Sequence, residues 1–578
     1  MPTKQLGPFR GIDARPGAAD KAGGLLEALN VIVAADGGLV RRPALTARAT
    51  LPADSKGLYA VGDQLRTLAP YQITASTTTS GTNNVGGTQL NVVTTTGFPA
   101  SGFVTTIDGD VIREYPYASK TGTAFIFPTV PTAVVLVSTL VAGKAVRYDD
   151  CAQDNDLTPT IYVDYITDPT PDTLDTVLGT IIGSDGRSIS LTRYANRSTA
   201  IHRSPLTGEP PQTDTLVPAL GFTPDFSIVR AAGRAFALDA TLRYLRYSAV
   251  DSANPDRLLD FGQTLYPVPD TDPIVYTTSV DQTSGAGFLE VSQFASGAGS
   301  PQGLALFGGR MVVLYRSALL IYRIDVDQSR FFLEQQITGP GTSAPRSVAE
   351  LGADTIFLSE AGVRVISTVM QTLDAREDAI GGRIDHLAKQ FAANDTITPV
   401  GCYSRRLGCY LLAFGQDVLC LGVLPGSAIL GWTRWRLPVP VDAWAESSGL
   451  QWMRSGTTLY AFEDGEDQDE TSLGVYVNVP VLVETLPMRG TTQNIATAVS
   501  AAATEPIMVQ VVADGRPGVD NNGAPIGLPI TLPPRAPEPA RAILSKLGRT
   551  FSVRVYDEAA VAGWRLDNLW LDVDPVRA

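Results

Sequence analysis

Gly303-Leu-Ala-Leu-Phe-Gly-Gly-Arg-Met-Val-Val-Leu-Tyr315 decides how this chain is read. Two short apolar runs flank a Gly-Gly pair, and glycine supplies the positive φ that a tight hairpin turn needs at both central positions. The same figure recurs in Ile228-Val-Arg-Ala-Ala-Gly-Arg-Ala-Phe-Ala-Leu-Asp239 and in the segment from Val348 to Ile366. It returns in Cys402-Tyr-Ser-Arg-Arg-Leu-Gly-Cys-Tyr-Leu-Leu-Ala-Phe414 and in Leu450-Gln-Trp-Met-Arg-Ser-Gly-Thr-Thr-Leu-Tyr-Ala-Phe462. Hairpins repeated at intervals of several tens of residues predict a β-propeller with divergent blades of about 40 to 50 residues. In a propeller each blade buries both faces on its neighbours, and closure leaves only short edges. About five or six blades would occupy residues 216–475, with the hairpin near Leu58 as a further contributor.

Outward from that repeat, the chain divides into four parts. Residues 1–70 carry an N-terminal platform segment, with a turn at Asp36-Gly37-Gly38, and a first propeller hairpin between Leu58 and Leu68. Residues 71–215 shift to Thr, Ser, Gly, Asp and Pro and predict an inserted β-rich domain, with a hairpin around Asp108-Gly109. Residues 476–578 predict a C-terminal β-sandwich or platform from strands at 481–483, 507–512, 551–556 and 564–573. One stretch reads as a helix, because Ile380, Ile384, Leu387 and Phe391 recur at helical spacing. The expected class is all-β.

Composition agrees. Among 578 residues, 54 Gly and 40 Pro punctuate the chain as many short strands require. A formal charge of -14 argues against a surface that coats nucleic acid, since phosphate affinity comes from clustered Lys and Arg. The N-terminal residues have no apolar core of the secretory kind, and no later run is long enough to span a bilayer, so synthesis and folding in a cytoplasm are expected.

Catalytic constellations are not found. With only His202 and His386, a histidine triad or a multi-histidine metal site has few members to draw on. Cys151, Cys402, Cys409 and Cys420 lack paired zinc spacing and read as buried thiols. The run Glu463-Asp-Gly-Glu-Asp-Gln-Asp-Glu470 offers oxygen ligands but not the order of a calcium loop, and reads as a solvated loop. Trp432, Trp435, Trp444 and Trp452 read as aromatic anchors within a blade, with a sugar-stacking platform as the alternative. No catalytic residue, metal or cofactor is assigned. Arg41, Arg42, Arg405 and Arg406 stand as candidates for contact with a neighbouring subunit or with DNA, because paired guanidinium forks suit carboxylates and phosphates.

The segment Phe9-Arg-Gly-Ile-Asp13, Ala28-Leu-Asn30 and Asp36-Gly-Gly-Leu-Val-Arg-Arg-Pro43 resembles the opening of the tail-nozzle, or tail-hub, proteins of short-tailed bacteriophages. The likeness continues in the same order through residues 245–257, Phe307-Gly-Gly-Arg310, Phe357-Leu-Ser-Glu-Ala-Gly-Val363, the helix ending at Phe391 and Gly431-Trp-Thr-Arg-Trp435. It implies a non-enzymatic virion protein, a homohexameric ring below the portal and the adaptor ring, which retains packaged DNA and passes it during ejection. Tail fibres or other tail proteins would be further partners, and assembly would take place in the host bacterial cytoplasm. An acidic lumen would repel DNA phosphates and limit sticking. Two alternatives stay open: a glycan-binding or glycan-cleaving propeller, and a trimeric hub or baseplate protein of a longer-tailed phage.

Overall fold

The structure is a computed structural model. It describes residues 3–15, 24–52, 54–70, 73–98, 100–108, 111–127, 139–149, 161–166, 174–184, 187–194, 199–203, 222–239, 244–251, 255–262, 265–267, 276–278, 285–291, 298–299, 301–339, 341–352, 354–372, 380–394, 397–424, 428–472, 474–514, 518–519, 525–526, 530–534 and 539–576.

All five recurring hairpins form, and the chain is all-β. Strand Pro301–Phe307 turns at Gly308 and Gly309, both with positive φ, into Arg310–Tyr315. Two further turns use a non-glycine residue before the glycine: Ala232-Gly233 and Ser448-Gly449 also hold positive φ at both positions. That backbone matches the twist of the strands it joins. The middle strands are buried almost throughout, as in Cys409–Phe414 and Arg234–Asp239, so both faces are covered and their apolar runs need not alternate.

Contacts divide the chain into two compact units. The first comprises residues 1–51, 294–323 and 332–578. It holds a four-stranded antiparallel meander, Pro301–Phe307, Arg310–Tyr315, Ala318–Arg323 and Phe332–Thr338, with the architecture of a propeller blade. A second four-stranded sheet is built from Ala443–Ser447, Leu450–Ser455 and Thr458–Glu463, and its fourth strand is the N-terminal Ala44–Thr50. The start of the chain thus completes the sheet formed near residue 460.

A 14-stranded sheet runs through the same unit. It links Val400–Ser404, Cys409–Phe414, Asp417–Leu424 and Ala428–Arg436 to N-terminal strands and to the C-terminal strands Val481–Thr485, Met488–Ala503, Ala540–Asp557 and Arg565–Pro575. Residues 476–578 therefore share sheet and core with the N-terminal segment: Phe9, Leu25, Val31, Trp432, Val553 and Trp564 belong to one apolar cluster. Met488–Ala503 carries no sequence mark of a strand, since its Ala-, Thr- and Ser-rich sequence lacks the β-branched and aromatic run by which strands are recognised.

The second unit spans residues 52–293 and 324–331, and so contains all of 71–215 and more on either side. The hairpin Lys56–Val61 and Gln64–Pro70 forms as expected but pairs in parallel with Ile161–Ile166 rather than joining a blade-like meander. Gly102–Asp108 and Val111–Tyr117 pair as predicted; Gly109 lies outside the described residues. Pro224–Ala231, Arg234–Asp239, Tyr244–Tyr247 and Gly287–Glu290 make another four-stranded antiparallel sheet.

The expected helix is shorter than its apolar spacing suggested. It covers Asp385–Ala392, preceded by a separate helix at Ile366–Thr372. Arg364 anchors it with two hydrogen bonds of 2.9 Å to the Asp385 carboxylate. Gly362 leaves room for that carboxylate, because a Cβ there would stand 1.8 Å from Asp385 Oδ1.

Candidate functional site

The residues singled out near the N-terminus converge on one fastening in the first unit. Arg42 is completely buried. Its Nε donates to Asn30 Oδ1 at 3.1 Å, and its Nη1 donates to Pro43 O and Asp469 Oδ1, both at 2.9 Å. Its Nη2 donates to Asp469 Oδ2, completing a two-pronged ion pair. A buried charge is tolerated only when paired and saturated with hydrogen bonds in this way.

Asn30 holds the other side. Its φ of 57° lies in the left-handed region, which asparagine enters more readily than most residues. From there its backbone N–H donates to Arg434 O at 2.7 Å and its Nδ2 donates to Pro480 O at 2.7 Å. The Oδ1 that receives Arg42 also accepts the Arg436 N–H at 2.9 Å. One asparagine thus ties the N-terminal segment to a blade strand and to the start of the C-terminal region.

Arg41 serves the same fastening. Its Nη1 donates to Asp467 O at 2.8 Å and Ala560 O at 3.1 Å, and its Nη2 donates to Glu466 O. Burial, with Arg42 adjacent, pushes its guanidinium down from the ordinary arginine value. Arg41 and Arg42 are thereby occupied inside the chain, and their burial removes them from the set available to DNA or a neighbouring subunit.

The acidic run is exposed over residues 464–468, as its composition suggested, but its last two carboxylates turn inward. Asp469 and Glu470 are buried. Asp469 Oδ1 accepts the Leu45 N–H at 2.9 Å and Glu470 Oε2 accepts the Ala47 N–H at 3.1 Å. Those two N–H groups face outward from Ala44–Thr50, the last strand of its sheet, so the carboxylates cover an edge that would otherwise expose unpaired donors. Glu463 pairs with Arg48 and Asp464 with Arg406 at 2.9 Å. Among the described residues no group of three or more Asp, Glu, His or Cys is arranged to hold a metal ion.

A second contact fixes the chain a few residues earlier. A Cβ on Gly11 would lie 2.4 Å from Trp432 N, and one on Gly431 would lie 2.4 Å from Arg10 O, so only two glycines allow these backbones to meet. The Ile12 N–H donates to Trp432 O at 2.7 Å. Trp432 Nε1 donates to Ile380 O at 2.7 Å, and Trp435 Nε1 donates to Val31 O at 3.0 Å. Phe9-Arg-Gly-Ile-Asp13 and Gly431-Trp-Thr-Arg-Trp435, far apart in sequence, are the two halves of one contact.

The remaining candidates fall elsewhere. Arg405 is exposed, with its backbone N–H held by Glu446 at 2.7 Å; Arg406 is half-buried and donates to Phe462 O at 2.6 Å. Trp432, Trp435, Trp444 and Trp452 are all buried, which leaves no stacking platform among them. Cys409 and Cys420 are buried free thiols, and burial pushes the Cys402 and Cys409 thiols well up; Cys151 lies outside the described residues. His386 is exposed on its helix. His202, in the second unit, is completely buried, with Nε2 2.9 Å from the Tyr194 hydroxyl, and burial pushes its pKa down to about 3. What the arrangement achieves is mechanical: charge and backbone are used to close the fold.

No family model matches the chain, and no curated protein matches its sequence. Among solved structures it is similar to an exo-β-1,3-galactanase from Phanerochaete chrysosporium, at 11% identity and a TM-score of 0.22, over 85% of this chain and 100% of that one. It is similar also to the WD40 β-propeller domain of Doa1, at 10% identity and 0.25, over 68% and 96%. For PorZ, a surface component of the type-IX secretion system of Porphyromonas gingivalis, the figures are 12% and 0.28, over 74% and 44%. Likeness at this level carries no argument about a site.

Proposed function

We propose that this chain is a structural protein of a bacteriophage particle, a tail nozzle or hub of a short-tailed phage that forms the distal conduit for packaged DNA. The observation that carries the reading is the convergence just described. Gly11, Asn30, Arg41, Arg42, Trp432 and Trp435, on which the family resemblance rests, make the contacts that fasten the N-terminal segment. In this reading the protein is a non-enzymatic homohexameric ring beneath the adaptor, with β-propellers around the channel, and the charge of -14 disfavours DNA adhesion to its walls.

Electron microscopy of the intact particle tests the proposal. Six-fold density for this chain below the adaptor, around an open channel, is the expected result. Three-fold or peripheral density would replace it with a hub or receptor-binding role.

A further inference from the structure

Two apolar surfaces of the first unit have no cover among the described residues, and their surroundings carry opposite charge. The first is the hairpin strand Val475–Asn478, paired on one edge only, with Gln468–Ser472. All four of its residues are exposed, Val475 at 52%, Tyr476 at 57% and Val477 at 38%, so apolar side chains face solvent on both sides of the strand. Leading into it, residues 463–470 contain Glu463, Asp464, Glu466, Asp467, Asp469 and Glu470 and no basic residue. Asp464, Glu466 and Asp467 are exposed; Asp464 pairs with Arg406, and the Asp467 carboxylate accepts the Ala562 N–H at 2.6 Å.

The second surface is the first half of Ala540–Asp557. Arg541, Ile543, Ser545, Leu547 and Arg549 alternate onto one exposed face, with Ile543 at 87% and Leu547 at 53%. Met488–Ala503 pairs with one edge of this half; the other edge gains Ile507–Ala513 only from Phe551 onward. From residue 540 to 556 the strand carries Arg541, Lys546, Arg549 and Arg554 and no carboxylate. Arg541 pairs with Asp572 at 2.8 Å.

The two surfaces belong to different sheets: Val475–Asn478 pairs with Gln468–Ser472 in a two-stranded sheet, and Ala540–Asp557 runs in the 14-stranded one. Val481, just after the acidic hairpin, pairs with Asp557 at the far end of Ala540–Asp557 from Ile543. Exposed aliphatic and aromatic side chains on unpaired edges invite strand addition or self-association unless they are covered.

We infer that the hairpin of Val475–Asn478 on one copy docks on the Arg541–Arg549 face of a second copy, head to tail. Such a contact joins two different patches, so it repeats from copy to copy and closes into a ring when the rotation allows. It is argued from these two patches alone and does not depend on the conduit proposed above. Solution mass tests the contact and particle density tests the conduit, so failure of either is separately visible.

The experiment uses the purified full chain, with sedimentation velocity and mass photometry across the micromolar range. The wild type is expected to self-associate, more weakly at high salt. Tyr476→Asp and Ile543→Asp, both at exposed positions, are each expected to weaken association about thirtyfold or more while keeping the wild-type melting curve. Val475→Ser and Leu547→Ser make the same comparison with a gentler change. The decisive sample mixes Tyr476→Asp with Ile543→Asp: each chain keeps one sound patch, so a 1:1 dimer forms and grows no further. A monomeric wild type, either variant assembling as the wild type does, or a mixture that yields no dimer would overturn the inference.

Discussion

Arg42 in the first unit and His202 in the second are both polar side chains removed from water, and they solve that problem in opposite ways. Arg42 stays charged and is matched, with Asp469, Asn30 and Pro43 taking up its donors. His202 has the Tyr194 hydroxyl at Nε2, while its Nδ1 meets no partner among the described residues, and burial holds the ring neutral. The first unit thus uses its buried charge to join distant segments, residues 30, 42 and 469. The second keeps its buried polar group local, between neighbouring strands Ser188–Tyr194 and Thr199–Arg203.

The largest effect expected from breaking that contrast is at Asp469. Asp469→Ala leaves the Arg42 cation buried without its partner and takes an acceptor from Leu45, so unfolding free energy should fall by about 3–5 kcal/mol. Denaturant titration measures it. Arg42→Met with Asp469→Leu should lose less than Asp469→Ala alone, since no unpaired charge remains. A single-variant loss below about 1 kcal/mol would mean that the fastening does not carry the closure of the N-terminal strand.

Of similar size is the acid response of the second unit. The unfolded histidine titrates near 6.5 and the buried ring near 3, so between those values the unfolded state binds the extra proton. Stability from this source is complete above about pH 6.5 and is lost as pH falls toward 3, at up to about 1.4 kcal/mol per unit. Hydrogen exchange over residues 188–203 should quicken across that window, and His202→Asn should flatten the dependence. An unchanged slope in the variant would place the acid sensitivity elsewhere.

The smallest effect belongs to Arg406. Its partner Asp464 is largely exposed, so Arg406→Ala should cost less than about 1 kcal/mol, read from the same titration. A loss comparable to that of Asp469→Ala would erase the distinction between buried and surface ion pairs on which the comparison rests.

Hairpins were readable because they are local. A turn such as Gly308-Gly309 and the apolar runs beside it lie within a dozen residues, and period and turn chemistry announce them together. The fastening was half readable. Asn30 and Arg41-Arg42 drew attention as a motif, but their role needed Asp469, which sits in a run whose composition reads as solvent-exposed. Ala44–Thr50 shows the same limit: nothing in Ala-Leu-Thr-Ala-Arg-Ala-Thr says that its partner is Thr458–Glu463. Met488–Ala503 is silent in the sequence because small residues form a strand only when the strands on either side, Ala540–Asp557 and Arg565–Pro575, supply the pairing.

The order of residues alone was enough for the all-β class, the five hairpins and the helix near Phe391, since each depends on propensity and spacing over a few neighbours. Tertiary structure decided which arginines are buried, which carboxylates cover a strand edge, and how the first fifty residues close a sheet completed more than four hundred residues later. The physical reason is the same in each case. Pairing across a sheet and the matching of a buried charge are long-range events, and their partners carry no local mark of each other.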